Sequence, residues 1–420
     1  MLRFAPFPDG DMCISSLRVA ILNYLTAQTN GEPFLVRIDD TDREKVVEGK
    51  DTEIMQIMEK FALKHDIVYH QSEHLRMHQT LALRLLEEDK AFICTCQSDS
   101  LSDQCSGICP QRSKEELRKI KEQRIPFVIR LKAPEHDIVI TDVFGDDITT
   151  VANEINNFAI LNADNTPTSL FAAACDDMVD NISLIIRSAE QSRQSPKEHH
   201  IQAQLGYQAD SSHLHIPPLF SATGEPISEV TIKSLFEEGI VPDAILNYLL
   251  LLDLSDTPKE IFTLPEAINW FKLENLTKKA VEFDIGKLLD INREHLRKMD
   301  DKRLSSLFGF ADADIGKLAK LYLDETSTIN GLETKIKGVF APKNFDNAWT
   351  EEMHTLQSVI IEAPMLNDYD TFKSYLLQKS KLEEADLDTP LRLLLTGTQE
   401  GPEISEIYPF IKPYLLEVIS

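Results

Sequence analysis

Four of the six cysteines of the chain fall within one short stretch: Cys94, Cys96, Cys105 and Cys109. Thiolates at such close spacing can bind a metal ion, and in an intracellular protein this clustering favours a metal site over disulfides. The alternative is four unrelated buried thiols. The other two, Cys13 and Cys175, could form a second metal or redox site, but a lone cysteine more often serves as a small buried apolar residue.

Arginines occur in two strand-like apolar runs. Arg3 lies in the first run, and Arg187 ends ISLIIR later in the chain. Ligands of parallel sheets bind beyond the carboxyl ends of the strands, so these positions favour a pocket over ordinary ion-pairing arginines. The turn RIDDTDR, residues 37–43, adds three aspartates, which predict either a metal cluster or a turn with ion pairs.

These residues must be positioned by strands and helices that alternate near the N-terminus. Short apolar runs at residues 2–5 and 34–38 predict strands, and helical spacing predicts helices after residue 14 and over about 50–63. This order indicates a parallel sheet with right-handed crossovers. Strand-like stretches at 127–131 and 138–143 follow the cysteines. The run at 182–186 should return the chain to the parallel sheet, and a helical pattern begins near Val241.

The composition is that of a globular protein with 42% hydrophobic and 27% charged residues, long enough for several domains. The formal net charge of −26 opposes tight nucleic-acid binding, because phosphate contacts supply most of the affinity in such complexes. No signal peptide or membrane-spanning run is indicated. We therefore expect a cytoplasmic protein with no membrane or DNA partner.

Several stretches, in the same order, resemble the glutamyl-tRNA synthetase family of class I aminoacyl-tRNA synthetases. The opening RFAPFPDGDMCISS resembles RFAPSPTG-xx-HIG, and RIDDTDR resembles RIEDTDR. Thr166-Pro167-Thr168, Asp176-Asp177 and the ISLIIR run resemble PTYxFA…DD…VIRGEDH. Later landmarks are SLFEEGIVPDAILNYLLLL, FDIGKL with INREHL, and PLRLLLTG. Together these stretches cover nearly the whole chain.

The resemblance implies an α/β plus all-α fold. A Rossmann-type parallel-sheet catalytic core would be split between residues 1–91 and 186–240, around an inserted acceptor-binding-like domain at 92–185. A stem-contact-like helical region would follow at 241–310, and a helical anticodon-binding-like domain at 311–420. The resemblance also implies a structural zinc in the insertion, held here by four thiolates because Cys105 stands at the family's tyrosine position.

The family's ATP-binding motifs are altered at several positions. The HIG-type signature falls on Cys13-Ile14-Ser15-Ser16, where Cys13 replaces a histidine donor and Ser15 replaces a close-packing glycine. The cationic GKKxSKR loop falls on GEPISEV at residues 224–230, where all four cationic positions are lost and two are glutamates, Glu225 and Glu229. Ser228 keeps the serine of this loop. ATP and magnesium, expected for the family, are therefore doubtful here.

The amino-acid pocket implied by the resemblance is partly preserved. Arg3 and Arg187 match the arginines that bind substrate carboxylates. Asp39 replaces a glutamate expected to hold the α-amino group. Ser169 and Ala173 replace a tyrosine and an asparagine, and of the RGEDH stretch only the arginine remains.

The family's motif residues are lost mainly at catalytic positions, while the framework around them is preserved. This pattern predicts a synthetase-like protein that cannot activate glutamate with ATP. It would be kept to bind tRNA, a glutamate-like molecule or a protein such as the genuine synthetase. The alternatives are an active glutamate–tRNA ligase with unusual phosphate-binding groups, or a transferase acting on another nucleotide or none. Residues 311–420 contain 10 lysines and arginines against 19 acidic residues, which opposes tRNA binding there.

Overall fold

The computed structural model describes residues 1–96, 105, 107–144, 147–207, 211–225, 227 and 230–420. Within these residues the chain forms two compact units. The first contains Met1–Lys233 with Leu249–Asp284, and the second contains Ser234–Tyr248 with Ile285–Ser420. The domain boundaries expected from the sequence stay predictions. None of the described helices combines the length and apolarity needed to cross a membrane.

A parallel three-stranded sheet forms the N-terminal part of the first unit, in the order β1-β2-β3. Its elements are β1 (Leu2–Phe4), α1 (Ile14–Asn30), β2 (Phe34–Ile38), α2 (Lys50–Lys60) and β3 (Ile67–His70). Strand β2 has the predicted bounds and is buried throughout, because its apolar residues are covered on both faces as in other parallel sheets. The parallel register, in which Arg3 pairs with Leu35, places the carboxyl ends of β1 and β2 at the same edge of the sheet.

Antiparallel strands dominate the next part of the first unit. The elements are α3 (Leu75–Glu87), β4 (Ala91–Cys94), α4 (Lys114–Glu122), β5 (Val128–Leu131), β6 (Ile138–Ile140), β7 (Ile148–Thr150) and β8 (Phe158–Leu161). Strands β4, β5 and β8 form one sheet, and β6 pairs with β7. Two of the predicted strands, at 127–131 and 138–143, correspond to β5 and β6. Helix α4 begins with a capping box between Ser113 and Glu116.

The chain then forms a second parallel ladder beside the first sheet. The elements are α5 (Ser169–Val179), β9 (Leu184–Ser188), α6 (Ser195–Gln204), β10 (Ser212–Ile216), β11 (Leu219–Phe220), α7 (Ile232–Glu237), α8 (Pro242–Asp253), α9 (Leu264–Trp270) and β12 (Val281–Glu282). Strand β9 pairs in parallel with β10. It approaches β1 through a hydrogen bond from Ser183 N to the Met1 carbonyl oxygen (3.1 Å), while Ile182 and Ile185 pack with Leu35. The predicted return is thus to a neighbouring parallel ladder.

The second unit is helical, as the sequence predicts for the C-terminal part. Its later helices are α10 (Ile285–Lys298), α11 (Asp301–Leu307), α12 (Ala313–Leu321), α13 (Ile329–Phe340), α14 (Thr350–Ile361), α15 (Tyr369–Ser380), α16 (Asp388–Thr396), α17 (Ile404–Ile411) and α18 (Leu415–Val418). Asp300, Thr328 and Asp368 cap α11, α13 and α15 by accepting hydrogen bonds from first-turn amides.

Close packing of α11 and α12 requires a glycine. A Cβ atom on Gly316 would lie 1.9 Å from the Asp301 carbonyl oxygen, a backbone atom that cannot rotate away. We expect Gly316→Ala to lower the free energy of unfolding of this unit by about 1–3 kcal/mol. Gly338→Ala is the control, because a Cβ there meets no atom within 4 Å. It should instead stabilise by about 0.5–1 kcal/mol.

Urea unfolding followed by Trp349 fluorescence tests the pair in a Trp270→Phe background. Trp349 then reports on the helical unit alone, since the chain has two tryptophans and Trp270 belongs to the first unit. Equal midpoints for the two alanine variants would contradict the close approach at Gly316.

Candidate active site

A cleft of about 460 Å³ opens at the carboxyl ends of β1, β2 and β9 in the first unit. This is where parallel α/β sheets place ligands. The loop after β1 and the first turn of α1 form one wall, and the starts of α5 and α6 contribute others. Phe7 lines the cleft, and so do Ser169 and Ala173, as the resemblance implies for these two.

Most of the predicted site residues meet in this cleft. The lining includes Arg3, Asp39, Arg187, Cys13, Ser15 and Ser16. Ser228 and Glu229 lie outside the described residues, so their placement stays a prediction. Their neighbour Ile227 does line the cleft, and the exposed Glu225 lies two residues earlier.

Asp177 in α5 connects two arginines beneath the cleft. Its carboxylate accepts hydrogen bonds from Arg3 Nε at 3.1 Å and Nη2 at 2.9 Å, and from Arg37 Nη1 at 2.7 Å. Arg37 Nε also donates to Asp39 Oδ1 at 2.6 Å. Arg3, Arg37 and Asp177 are at most 5% exposed. The two guanidinium groups are therefore already bound to carboxylates of the chain.

The pKa values in this network follow from burial and from these pairs. Burial alone would raise the pKa of Asp177, but Arg3 and Arg37 outweigh it and hold the pKa well below its usual range. At Asp39 the balance is reversed: burial raises the pKa even though Arg37 is bonded to this carboxylate. Asp177 is therefore the firmly ionised member of the network.

The third arginine of the cleft is also paired. Arg187 Nη1 lies 3.1 Å from Glu198 Oε1, and Nη2 lies 2.8 Å from Oε2, in a buried bidentate pair. Nearby His213 does not add positive charge, because burial and then Arg187 lower its pKa to about 3. Burial likewise lowers the pKa of His215.

The cleft therefore offers little positive charge to a triphosphate. Its described lining contains three guanidiniums, three carboxylates (Asp39, Glu190 and Glu198) and no lysine. At the start of α1, the N–H of Ile14 is bonded to the Val230 carbonyl oxygen at 3.0 Å and is therefore not free for a phosphate. A nucleotide triphosphate needs fixed cations around its phosphates. Each of the three guanidiniums in the described lining is already paired with a carboxylate of the chain.

Sequence reasoning missed Glu198 and gave Asp177 no role. Glu198 lies three residues before Ile201 on the buried side of α6, where an ionisable residue needs a partner. Its place on the buried side of the helix was the sequence signal that could have identified Glu198.

Next to Asp177, the buried Asp176 binds Gln71 Nε2 at 2.8 Å, His74 Nδ1 at 3.0 Å and His78 Nε2 at 2.9 Å. These contacts fix the start of α3 to α5.

The acidic turn after β2 forms ion pairs and turn hydrogen bonds. Besides the Arg37–Asp39 pair, Asp40 accepts hydrogen bonds from Ser72 N and Oγ, both at 2.7 Å. Asp42 lies 2.8 Å from Lys45 Nζ. Within the described ranges, the cysteine cluster is the one group of three or more side chains whose ligand atoms are all mutually close enough to hold a metal ion. The ion-pair alternative is the one observed.

The four clustered cysteines do come together: their Sγ atoms all lie within 4.8 Å of one another. Cys96 Sγ is 3.8 Å from Cys105 Sγ and 3.5 Å from Cys109 Sγ. Tetrahedral zinc bound to four thiolates at ~2.3 Å places sulfurs about 3.8 Å apart. The cluster therefore fits a metal ion such as zinc, in a closed structural site.

The other two cysteines lie in different places: Cys175 is in the hydrophobic core, and Cys13 lines the cleft.

Comparisons with known proteins agree with this architecture. The family described as "tRNA synthetases class I (E and Q), catalytic domain" matches residues 1–290. The chain is 53% identical to glutamate–tRNA ligase 2 of Sulfurovum sp. (strain NBC37-1) and 40% identical to that of Sulfurimonas denitrificans, covering all of both chains in each case.

A solved structure shows the same fold. The glutamate tRNA ligase from Elizabethkingia meningosepticum, in complex with its amino acid, has a TM-score of 0.83 at 22% identity. The alignment covers 99% of this chain and 97% of that one. With the family match and the full-length relatives, the conclusion is that this chain belongs to the glutamyl-tRNA synthetase family of class I aminoacyl-tRNA synthetases.

Proposed function

We propose that this chain is a glutamyl-tRNA synthetase-like protein that does not form glutamyl-adenylate and serves by binding. The observation that most directly supports this proposal is that every described guanidinium in the cleft is paired with a carboxylate of the chain. Arg3 and Arg37 are bound to Asp177, and Arg187 to Glu198. Candidate ligands are an amino-acid-like molecule, tRNA, or a protein such as the genuine synthetase.

The need for positive groups at the reacting phosphate supports this proposal. Activation joins a carboxylate to the α-phosphorus of ATP and expels pyrophosphate, so negative charge must be met by fixed donors and cations. Loss of one such donor costs ~10²–10³ in rate. The effects of several such losses are not strictly additive. Together they correspond to a reduction in rate of about 10⁴–10⁶-fold, or roughly 5–8 kcal/mol in activation free energy.

ATP–pyrophosphate exchange tests the proposal directly. Purified full-length protein, supplied with glutamate, total tRNA, ATP and magnesium, is expected to show no exchange above the protein-free background. An active glutamate–tRNA ligase in the same reactions is the positive control. Thermal shift should show stabilisation by an amino acid and none by ATP. Substantial glutamate-dependent exchange would contradict the proposal.

The second candidate is a working glutamate–tRNA ligase. It is favoured by the full-length relatives, which carry the name glutamate–tRNA ligase at 53% and 40% identity. It requires cations to reach the phosphates by another route, and the same exchange assay separates the two. tRNA remains a plausible partner of a protein in this family, although the net charge of −26 opposes its approach. An electrophoretic shift with total tRNA at low salt tests that partner.

A further inference from the structure

The Arg187–Glu198 pair lines the cleft. Both residues face the cleft, and both are buried, at 6% and 3% exposure. Their two contacts, at 3.1 and 2.8 Å, leave the pair formally neutral. The family resemblance implies that Arg187 binds a carboxylate of a glutamate-like ligand. In this chain Glu198 already occupies that guanidinium.

We infer that Glu198 is a specificity-determining residue that selects a ligand with a neutral carboxamide side chain, such as glutamine, over one with a carboxylate. This inference rests on the proposed function, since it takes the cleft to bind an amino-acid-like ligand. It goes beyond that function because it names the chemical class of the side chain and the residue that reads it.

The hydrogen-bonding groups of a carboxamide match this pair. An amide NH₂ donates, and its carbonyl oxygen accepts; Glu198 supplies acceptor oxygens and Arg187 supplies donors. A carboxylate has acceptors only, so one of its oxygens would meet Glu198 without a proton between them. Glu198 Oε2 is buried and lacks a well-directed hydrogen bond from the described residues, although Arg187 Nη2 lies 2.8 Å away. An amide donor would satisfy it.

The remaining arginines of the cleft do not restore a carboxylate site. Arg3 holds Asp177 through two nitrogens, and Arg37 is shared between Asp177 and Asp39. His213 and His215, which pack beside Arg187, are kept neutral by burial. Glu198 would disfavour glutamate by repelling its side-chain carboxylate, so this discrimination needs no additional contact.

Isothermal titration calorimetry of the full-length protein with L-glutamine and L-glutamate tests the inference. The native chain is expected to bind glutamine at least about tenfold more tightly than glutamate. Glu198→Gln keeps the size of the side chain and frees the charge of Arg187. It is expected to reverse the preference, with glutamate bound at least about tenfold more tightly than glutamine.

Glu154→Gln is the charge-matched control, because Glu154 is exposed and lies outside the lining of the cleft. Its ratio of affinities should change less than about twofold. A native chain that prefers glutamate, or that binds neither amino acid at millimolar concentration, would overturn the inference. So would equal shifts in the two variants. The native-chain comparison holds even if Glu198→Gln folds poorly, which circular dichroism would show.

Failure of this inference is distinguishable from failure of the proposed function. A chain that prefers glutamine yet catalyses pyrophosphate exchange would overturn the proposed function alone. A chain that prefers glutamate without exchange would overturn the role of Glu198 alone.

Discussion

Replacing Asp177 by alanine is expected to lower the free energy of unfolding of the first unit by about 3–5 kcal/mol. The carboxylate is 3% exposed and accepts hydrogen bonds from both Arg3 and Arg37. Its removal leaves two buried guanidiniums without this partner, and an uncompensated buried charge costs more than the pair itself contributes. The effect should be among the largest of any single substitution in this unit.

Urea unfolding followed by Trp270 fluorescence, in a Trp349→Phe background, measures the change in this unit. Asp42→Ala is the matched control, because Asp42 makes an exposed pair with Lys45. Its effect should stay below about 1 kcal/mol. Similar losses in the two variants would contradict the buried network.

The same network predicts the direction of the pH dependence. The folded-state pKa of Asp177 lies below its unfolded value, so its stabilisation is present above an unfolded pKa of about 3.9 and is lost as pH falls through the folded pKa. The native chain should therefore lose its advantage over Asp177→Asn on acidification below about pH 4. An advantage that grows on acidification would refute this assignment.

The second large effect is expected on zinc content and stability when the cysteine cluster is disrupted. We expect one equivalent of zinc per chain by elemental analysis, and Cys109→Ser should reduce it to less than half. Removal of zinc by a chelator should lower the melting temperature, because binding of a structural metal contributes directly to folding, by an apparent ~10–16 kcal/mol in zinc-finger peptides. The pKa of Cys94, raised by burial to about 12, means that metal binding must displace a proton and should weaken at low pH.

Cys175→Ala controls for the loss of a thiol. Cys175 is buried in the core, away from the described cluster, so this variant should lose stability and keep its zinc. Less than half an equivalent of zinc in the native chain would count against the metal site.

Much of the fold could be predicted from local pattern. The five-residue apolar run of β2 has no polar interruption except Arg37, and its predicted bounds coincide with the observed strand. The helical C-terminal unit follows from apolar residues at helical spacing. The positions of Arg3 and Arg187 at strand ends were enough to place them in one cleft.

The partners of the charged residues could not be predicted in the same way. Asp177 meets Arg3 and Arg37 across 174 and 140 residues of chain, and no local pattern encodes such contacts. Glu198 is only eleven residues from Arg187, but their contact depends on how α6 packs against β9. Sequence reasoning therefore located the cleft and missed that its arginines are already bound.

The long separation between Arg37 and Asp177 also has a consequence for biosynthesis. Chains emerge from the ribosome N-terminus first, at roughly 5–20 residues per second. The 140 residues between the two partners therefore take about 7–28 s to be made. During that interval the nascent first strands carry guanidiniums whose final acceptor does not yet exist. Completion of the buried ion-pair network must therefore follow translation of α5.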